Sequence, residues 1–281
     1  MSFIAACLQL NSGREIAPNI AAATDLVRRA RDAGAELIMT PEVSDMIEPK
    51  RALRLEKARA ESDHPMLAAW RALARETGAY LLLGSIMLRE AGAERLLNRS
   101  FLIAPDGAIL ARYDKIHMFD VDLPGGETYR ESAVFDPGGR AVLAPLPWGM
   151  LGMTVCYDLR FPHLYRALAQ GGADFLSVPS AFTVPTGRAH WHVLLRARAI
   201  ENGCFVFAPA QQGEHAEGRR TFGHSLIVAP WGEVLAEAGE GAGFITAEID
   251  PVRIEDARRS VPSLRHDRPF ESPPKRSLAA E

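Results

Sequence analysis

The chain has 281 residues, 47% of them apolar, and a formal net charge of -3 at pH 7. This length and composition can supply the core of one large α/β domain or of two small ones. Without a basic surplus or an apolar run of membrane-spanning length, the sequence argues against nucleic-acid and membrane partners, so small soluble substrates are expected.

The first half of the chain alternates strands and helices. Helical spacing of apolar residues predicts helices over Pro18–Ala33 and within Ala52–Thr77, where His64 and Pro65 mark a new start. The Asp106–Gly107 turn predicts a hairpin, so two parallel-looking strands are followed by antiparallel ones. The predicted strands are Phe3–Leu10, Leu37–Thr40, Tyr80–Met87, Asn98–Ala104 and Ala108–Tyr113.

The second half shows the same alternation of strands and helices. The sequence contains no recognisable linker between the halves and no internal sequence repeat. Helices are predicted from Pro162 to Gly171 and over Arg188–Asn202, and the charged, proline-rich stretch from Pro262 is interpreted as an arm or tail. The predicted strands are Leu151–Val155, Phe175–Val178, Phe205–Ala208, Ser225–Ala229, Glu233–Ala236 and Gly243–Ile249.

The N-terminus and the cysteines indicate a protein of a reducing compartment, and a cytoplasmic location is expected. The first residues lack a basic lead-in and predict a strand rather than a signal peptide. Cys7, Cys156 and Cys204 are odd in number and far apart, which argues against a disulfide framework. A free thiolate could survive in such a compartment.

Cys156 stands on a predicted elbow between a strand and a helix. Such a position exposes the sulfur at the carboxyl end of a sheet and directs backbone N–H groups, such as that of Tyr157, towards it. This geometry suits a nucleophile that also shelters an oxyanion. A small buried cysteine that only packs is the alternative for a cysteine taken alone.

Two more polar side chains end apolar strands in the same manner. Glu42 is the first polar residue past its strand, and Lys115 begins a long loop, rich in Asp, Gly and Pro, that is expected to cover a site. No histidine stands convincingly at a strand end near Cys156. If the three strand ends converge, Glu42 would be the base, and the Lys115 ammonium would keep it ionised and stabilise thiolate and oxyanion.

Three segments resemble the signature segments of the carbon-nitrogen hydrolase, or nitrilase, superfamily. They are TPE at Glu42, YDKIHMFDVD at Lys115 and TVCYDLRFP at Cys156, in the family's order and spacing. The resemblance runs from the first strand to about Arg268. It implies an α/β fold, a four-layer αββα sandwich with two mixed sheets, in a single domain over residues 1–268 followed by a tail over 269–281.

The resemblance also implies roles for individual residues. Glu42 would be the general base, Lys115 the cationic stabiliser and Cys156 the nucleophile, while Glu131 in YRES would orient Lys115 and the attacking water. Assembly into a homodimer or higher homo-oligomer is implied as well. No metal or other cofactor is expected.

Within the superfamily the chain is most similar to the Nit branch. The similar segments include PSAF, LLRARAIEN and QQGEH, and they favour the amidases that hydrolyse deaminated glutathione to 2-oxoglutarate and cysteinylglycine. An ω-amidase acting on 2-oxoglutaramate, an N-carbamoyl amino acid amidase, a nitrilase and a non-catalytic interaction protein on the same fold stay open. His192 replaces the family's usual Glu, a change expected at the pocket rim.

Several other residues could contact a substrate or bind a metal. Ser180, Phe182 and Thr183, at the end of a predicted strand, are expected to line the substrate pocket. His190 and His192 lie two apart on a predicted helix, point to different sides and have no third ligand nearby, which argues against a metal site. Four arginines that could neutralise a dicarboxylate are expected on solvated surface or at an interface: Arg196, Arg198, Arg219 and Arg220.

Overall fold

A computed structural model describes residues 1–123 and 126–273 of the chain. The α-helices are α1 (Ile16–Asp32), α2 (Arg51–Lys57), α3 (Pro65–Thr77), α4 (Pro162–Gln170), α5 (Val184–Asn202) and α6 (Val252–Ser260). The strands are β1 (Phe3–Leu10), β2 (Leu37–Met39), β3 (Tyr80–Leu88), β4 (Leu97–Ile103), β5 (Ile109–Asp114), β6 (Asp120–Asp122), β7 (Thr128–Arg130), β8 (Val142–Leu146), β9 (Gly149–Met153), β10 (Phe175–Ser177), β11 (Phe205–Ala208), β12 (Ala210–Glu214), β13 (Arg220–Phe222), β14 (Leu226–Val228), β15 (Val234–Glu237) and β16 (Gly243–Ile249).

Most strands belong to two mixed sheets. The first has the order β13-β12-β1-β2-β3-β4-β5, with β16 paired antiparallel along β1. Its strands β1, β2 and β3 run parallel, one strand more than the two predicted, and β3, β4 and β5 run antiparallel, as predicted. The second has the order β15-β14-β11-β10-β9-β8, with the central strands β9, β10 and β11 parallel.

The sheets pack face to face between two helical layers. Alternate side chains of β1 face two different hydrophobic cores, as expected when a strand is covered on both faces. Ala5 and Cys7 belong to the core shared with the second sheet, whereas Ala6 and Leu8 belong to the core beneath α1 and α3. Helices α4 and α5 cover the outer face of the second sheet. The predicted four-layer αββα sandwich is confirmed.

Some elements were missed because their sequences lack the expected pattern. Strand β8 contains Pro145, which an edge strand tolerates, and β12 reads AQQGE and pairs with β1 through only two residues. Helix α5 begins at Val184, four residues before the predicted start at Arg188, because Pro185 fits the first turn of a helix. Strand β13 and helix α6 were not predicted either.

The end of the chain is described only in part. Residues 269–273 of the predicted tail form no helix or strand, and its residues 274–281 lie outside the described part. Within the described residues, no helix is both long enough and apolar enough to span a membrane.

Candidate active site

Strand ends from both sheets meet at one cavity. Glu42 follows β2 and Lys115 follows β5 in the first sheet, while Cys156 follows β9 in the second. All three side chains line a cavity of about 220 Å³. The convergence expected from the sequence is thus present in the structure, since the carboxyl ends of parallel strands are where ligand-facing residues collect.

The Lys115 ammonium lies between two carboxylates. Its Nζ donates to Glu42 Oε1 at 2.9 Å and to the two oxygens of Glu131 at 2.9 and 2.8 Å. Glu131 also accepts the backbone N–H of Phe119 at 2.6 Å. The lysine side chain is 2% exposed, so little water competes for these bonds. Glu131 is therefore positioned to orient Lys115.

Glu42 is fixed by two more donors. The side-chain amide of Asn98 donates to its Oε1 at 3.0 Å, and the backbone N–H of Ala181 donates to its Oε2 at 3.0 Å. Asn98 was not recognised from the sequence. Only the pairing of strands reveals the role of Asn98, because β4 lies beside β5 and the carbonyl of Asn98 accepts the N–H of Lys115 at 2.9 Å.

Burial and charge set the protonation states of the three groups. Burial raises the pKa of Glu42, but the charge and hydrogen bond of Lys115, together with Cys156 and Arg219, outweigh burial, so the pKa lies below its ordinary value. Burial lowers the pKa of Lys115, but Glu131 and Glu42 raise it well above the usual value. Burial, reinforced by the charge of Glu42, raises the pKa of the Cys156 thiol well above its usual range.

These pKa directions favour a carboxylate at Glu42, an ammonium at Lys115 and a neutral thiol at Cys156. The low-dielectric surroundings and the negative Glu42 oppose ionisation of the sulfur more strongly than Lys115 favours it. Glu42 lies close enough to Cys156 for its charge to raise the pKa of the thiol, so it is placed to accept the thiol proton when the sulfur attacks.

A buried carboxylate shapes the elbow that carries Cys156. Cys156 has a φ of 50°, which is unusual for a residue with a side chain, and it begins a 3-10 helix that ends at Arg160. Asp158 accepts the N–H of Val155 at 2.8 Å and the hydroxyl of Tyr113 at 2.7 Å. Tyr157 follows Cys156 and lines the cavity. It lies in the first turn of the 3-10 helix, and the first N–H groups of a helix have no acceptor within the helix.

The residues predicted to line the pocket divide into two kinds. Phe182 and Thr183 do line the cavity. Ser180 does not. It is fully buried, and its hydroxyl donates to the carbonyl of Val178 at 2.9 Å, because the chain turns after β10 and brings Ala181 into the cavity wall instead.

Three arginines of the cavity wall, Arg54, Arg160 and Arg219, have no carboxylate partner in the described part of the chain, and Arg160 instead lies 3.2 Å from Nδ1 of His190. Arg54 donates to the backbone carbonyls of Glu48 and Pro49, and neither Arg54 nor Arg219 has a carboxylate oxygen within 4.0 Å among residues 1–123 and 126–273. The Nε of Arg219 is buried and finds no hydrogen-bond acceptor in that part of the chain. The surface or interface position expected for Arg219 is therefore wrong, because the unpredicted hairpin of β12 and β13 carries it into the cavity.

His192 lies away from the cavity rim, contrary to the expectation. The residues lining the cavity do not include it, and its Nε2 lies 2.9 Å from an oxygen of Glu237 on β15. The reason is the direction of α5, which points only its first turn, including Thr186, into the cavity wall.

A model of the carbon-nitrogen hydrolase family matches residues 4–259. This chain belongs to the carbon-nitrogen hydrolase family. Among family members of known sequence, a deaminated glutathione amidase of Synechocystis sp. strain PCC 6803 is 44% identical over 269 residues, which cover 94% of this chain and 97% of that protein.

Two solved structures of the family extend the comparison. The Caenorhabditis elegans NitFhit protein has a TM-score of 0.88 and 36% identity, over 95% of this chain and 65% of that one. A mutant amidase from Nesterenkonia sp. AN1 has a TM-score of 0.77 and 27% identity, over 92% of this chain and 98% of that one. In the latter, acrylamide has added to the active-site cysteine.

Proposed function

We propose that the protein is a thiol amidase that hydrolyses deaminated glutathione to 2-oxoglutarate and cysteinylglycine. The observation that carries this proposal is the buried cluster of Glu42, Lys115, Glu131 and Cys156 in a cavity whose wall also holds arginines with no carboxylate oxygen within 4.0 Å among the described residues. The cluster supports acyl transfer and the arginines support a carboxylated substrate. The 44% identical relative carries the name of this activity.

The acylation step begins with the neutral thiol. Cys156 sulfur attacks the amide carbonyl carbon while Glu42 accepts the thiol proton. The oxyanion of the tetrahedral intermediate is held by the Lys115 ammonium and the backbone N–H of Tyr157, and loss of one such donor typically lowers kcat by about 100-fold or more. Glu42 then gives the proton to the amine nitrogen, the C–N bond breaks, and cysteinylglycine leaves.

Deacylation uses the same groups in reverse. The 2-oxoglutaryl group is then a thioester on Cys156. Glu42, again a carboxylate, accepts a proton from water as the water oxygen attacks the thioester carbonyl. The C–S bond breaks, the thiol recovers its proton, and 2-oxoglutarate is released. Glu131 keeps the Lys115 ammonium in place through both steps.

Arg54 and Arg219 are proposed to bind a substrate carboxylate. Burial is the main cause that lowers the pKa of Arg54, and the positive charge of the nearby Arg219 lowers it further. A carboxylate between them would relieve this repulsion and accept paired hydrogen bonds. Deaminated glutathione offers two carboxylates, one on the 2-oxo acid and one on the terminal glycine.

A comparison of four substrates tests the proposal. Product release is measured for deaminated glutathione, 2-oxoglutaramate, an N-carbamoyl amino acid and an aliphatic nitrile, with Cys156→Ala as the inactive control. The highest kcat/KM is expected for deaminated glutathione. A higher value for any other substrate would overturn the substrate assignment, and no turnover of any would favour a non-catalytic interaction protein.

The arginine pair is tested on the same enzyme. Arg219→Met is expected to raise KM while kcat changes little, since the carboxylate contact is made in the ground state as well as in the transition state. If KM rises for deaminated glutathione alone, the glycine carboxylate is the group that binds Arg54 and Arg219. An equal rise for 2-oxoglutaramate places the 2-oxo acid carboxylate there, and unchanged KM values contradict this role.

We also propose a homo-oligomer that works in the cytoplasm. Large apolar side chains are exposed on α5 and on the turn between β14 and β15, namely Val193, Ile200, Trp231 and Val234. Ile200 lies against Gly232 of that turn, so part of this set forms one surface. An apolar surface of this kind supports association with a second copy. All three cysteines are free, which supports a reducing compartment.

A further inference from the structure

Three potential metal ligands converge on the outer side of the second sheet. His192 lies on α5, His224 precedes β14, and Glu237 ends β15. Their ligand atoms all lie within 4.8 Å of one another. The sequence alone hid this group, because His224 and Glu237 are far from His192 along the chain and only the fold brings them together.

The distances suit a small divalent cation. The same oxygen of the carboxylate, Glu237 Oε1, lies 2.9 Å from His192 Nε2 and 2.7 Å from His224 Nδ1. With bonds of about 2.1 Å, a tetrahedral zinc ion separates its ligand atoms by about 3.4 Å. Outward movements of under about 1 Å by exposed side-chain tips would therefore admit the ion.

The surroundings hold the backbone of this group in place. His224 has a φ of 57°, and its carbonyl accepts the indole N–H of Trp191 at 2.7 Å. Its ring stacks on Phe222 with centroids 4.4 Å apart. Three separate elements thus present their ligands from supported positions, while each side chain keeps more than a third of its surface open to solvent. An ion from solution can reach them.

We propose that His192, His224 and Glu237 bind one divalent transition-metal ion of the zinc class, with water as the fourth ligand. Two imidazoles and one carboxylate are a donor set that zinc accepts. The ion would join α5 to the hairpin of β14 and β15. It would act through stability, because none of the three residues lines the catalytic cavity.

The site is connected to the cavity wall through packing. Trp191, the neighbour of His192, packs against Phe182 of the wall with ring centroids 4.9 Å apart. The carbonyl of Phe182 also accepts the N–H of Phe222 at 2.9 Å. Metal binding is therefore expected to raise the thermal stability of the fold, as any ligand of the native state does.

Zinc binding is measured on the metal-free full-length protein by competition with a fluorescent zinc chelator. The experiment uses a Cys156→Ala background so that the catalytic thiol cannot act as a ligand. One zinc ion per chain is expected, with a higher melting temperature in its presence. His192→Ala, His224→Ala and Glu237→Gln are each expected to weaken binding by roughly 100-fold or more, since loss of even an outer-shell partner costs about 10–100-fold.

His190→Ala is the matched control. His190 lies on the same helix, but its Nδ1 faces the guanidinium of Arg160 at 3.2 Å, so its loss should leave zinc affinity unchanged. The d–d absorption of bound Co²⁺ gives a second readout, and the intense bands of a four-coordinate ion should disappear in His224→Ala. The proposal is overturned if the parent protein binds no zinc at micromolar concentration, or if the three substitutions affect binding no more than the control.

Discussion

At the scale of single residues, the candidate active site depends on one cation between two anions. Lys115 donates to both Glu42 and Glu131 in a buried position, and Asn98 donates to Glu42 from the neighbouring strand. A buried ion pair is costly to leave half-made, because the remaining charge keeps its desolvation penalty without its partner. The three charged residues therefore belong together in stability as well as in the proposed catalysis.

We predict that Lys115→Met abolishes amidase activity and lowers the free energy of unfolding by about 3–5 kcal/mol. The two carboxylates would face each other without the ammonium between them. Urea unfolding followed by circular dichroism measures the loss. The triple variant Glu42→Gln, Lys115→Met, Glu131→Gln removes all three charges and should recover much of the stability while staying inactive. If Lys115→Met were as stable as the parent protein, the ammonium would not be needed to stabilise the two carboxylates.

The protonation states predict the acidic side of the pH profile. Glu42 must be a carboxylate to accept the thiol proton, and its pKa lies below the ordinary 4.5 because Lys115, Cys156 and Arg219 together outweigh the effect of burial. The acid limb of kcat/KM should therefore fall below pH 4.5. The same lowered pKa adds stability above the ordinary value, and this stability is lost as the pH falls through the folded value. Circular dichroism at each pH separates unfolding from titration, and an acid limb near pH 6 with intact structure would disagree with a lowered Glu42 pKa.

At the scale of elements, strand ends place the reactive groups, and this explains what the sequence could predict. Glu42, Lys115 and Cys156 each follow an apolar run, so their positions could be read from hydrophobic pattern. Asn98 lies inside a strand, and its role depends on which strand is its neighbour. Arg219 follows β12, whose polar sequence gave no strand signal, so its place in the cavity depended on long-range pairing with β1 and β13.

Gly84 controls the close approach of β3 to the chain segment before Glu42. A Cβ at this position would lie 1.9 Å from the carbonyl oxygen of Thr40 and 2.4 Å from that of Pro41. We predict that Gly84→Ala displaces this segment, lowers the free energy of unfolding by about 1–3 kcal/mol and reduces kcat.

Gly139→Ala is the control for this prediction, because nothing lies within 4 Å of a Cβ at that position and its φ is not in the left-handed region. Urea unfolding and steady-state kinetics compare the two variants. Equal behaviour of the two would show that the tight contact at Gly84 does not constrain the site.

At the scale of the whole molecule, the order of elements predicted alternating strands and helices, and the family resemblance alone implied the four-layer sandwich. Near-continuous apolar runs predicted strands covered on both faces, and β1 has this character, with one face in each core. Three strands at or near the sheet edges were harder to predict, because β8 contains Pro145, β12 has a polar sequence and β13 has only three residues. Assembly with a second copy was expected from the resemblance alone and stays a prediction.

The exposed apolar surface on α5 and the β14–β15 turn gives that prediction a test. Trp231 is 59% exposed, and Trp231→Ser should shift the mass measured by light scattering after gel filtration towards a single chain. Val252→Ser is the control, since Val252 is 54% exposed on α6. A parent protein that elutes as a single chain, or a Trp231→Ser protein with an unchanged oligomeric mass, would contradict this interface.

The division of the site between the two sheets has a consequence for shortened versions of the gene. The first sheet supplies the base and the ammonium, and the second supplies the sulfur. β1 in the first sheet pairs with β12 and β16 from late in the sequence, so the first half of the chain cannot complete its sheet, whereas all six strands of the second sheet lie in the second half. A product truncated near its middle from either direction would lack both a finished scaffold and part of the chemistry, and such a remnant has no route to partial activity.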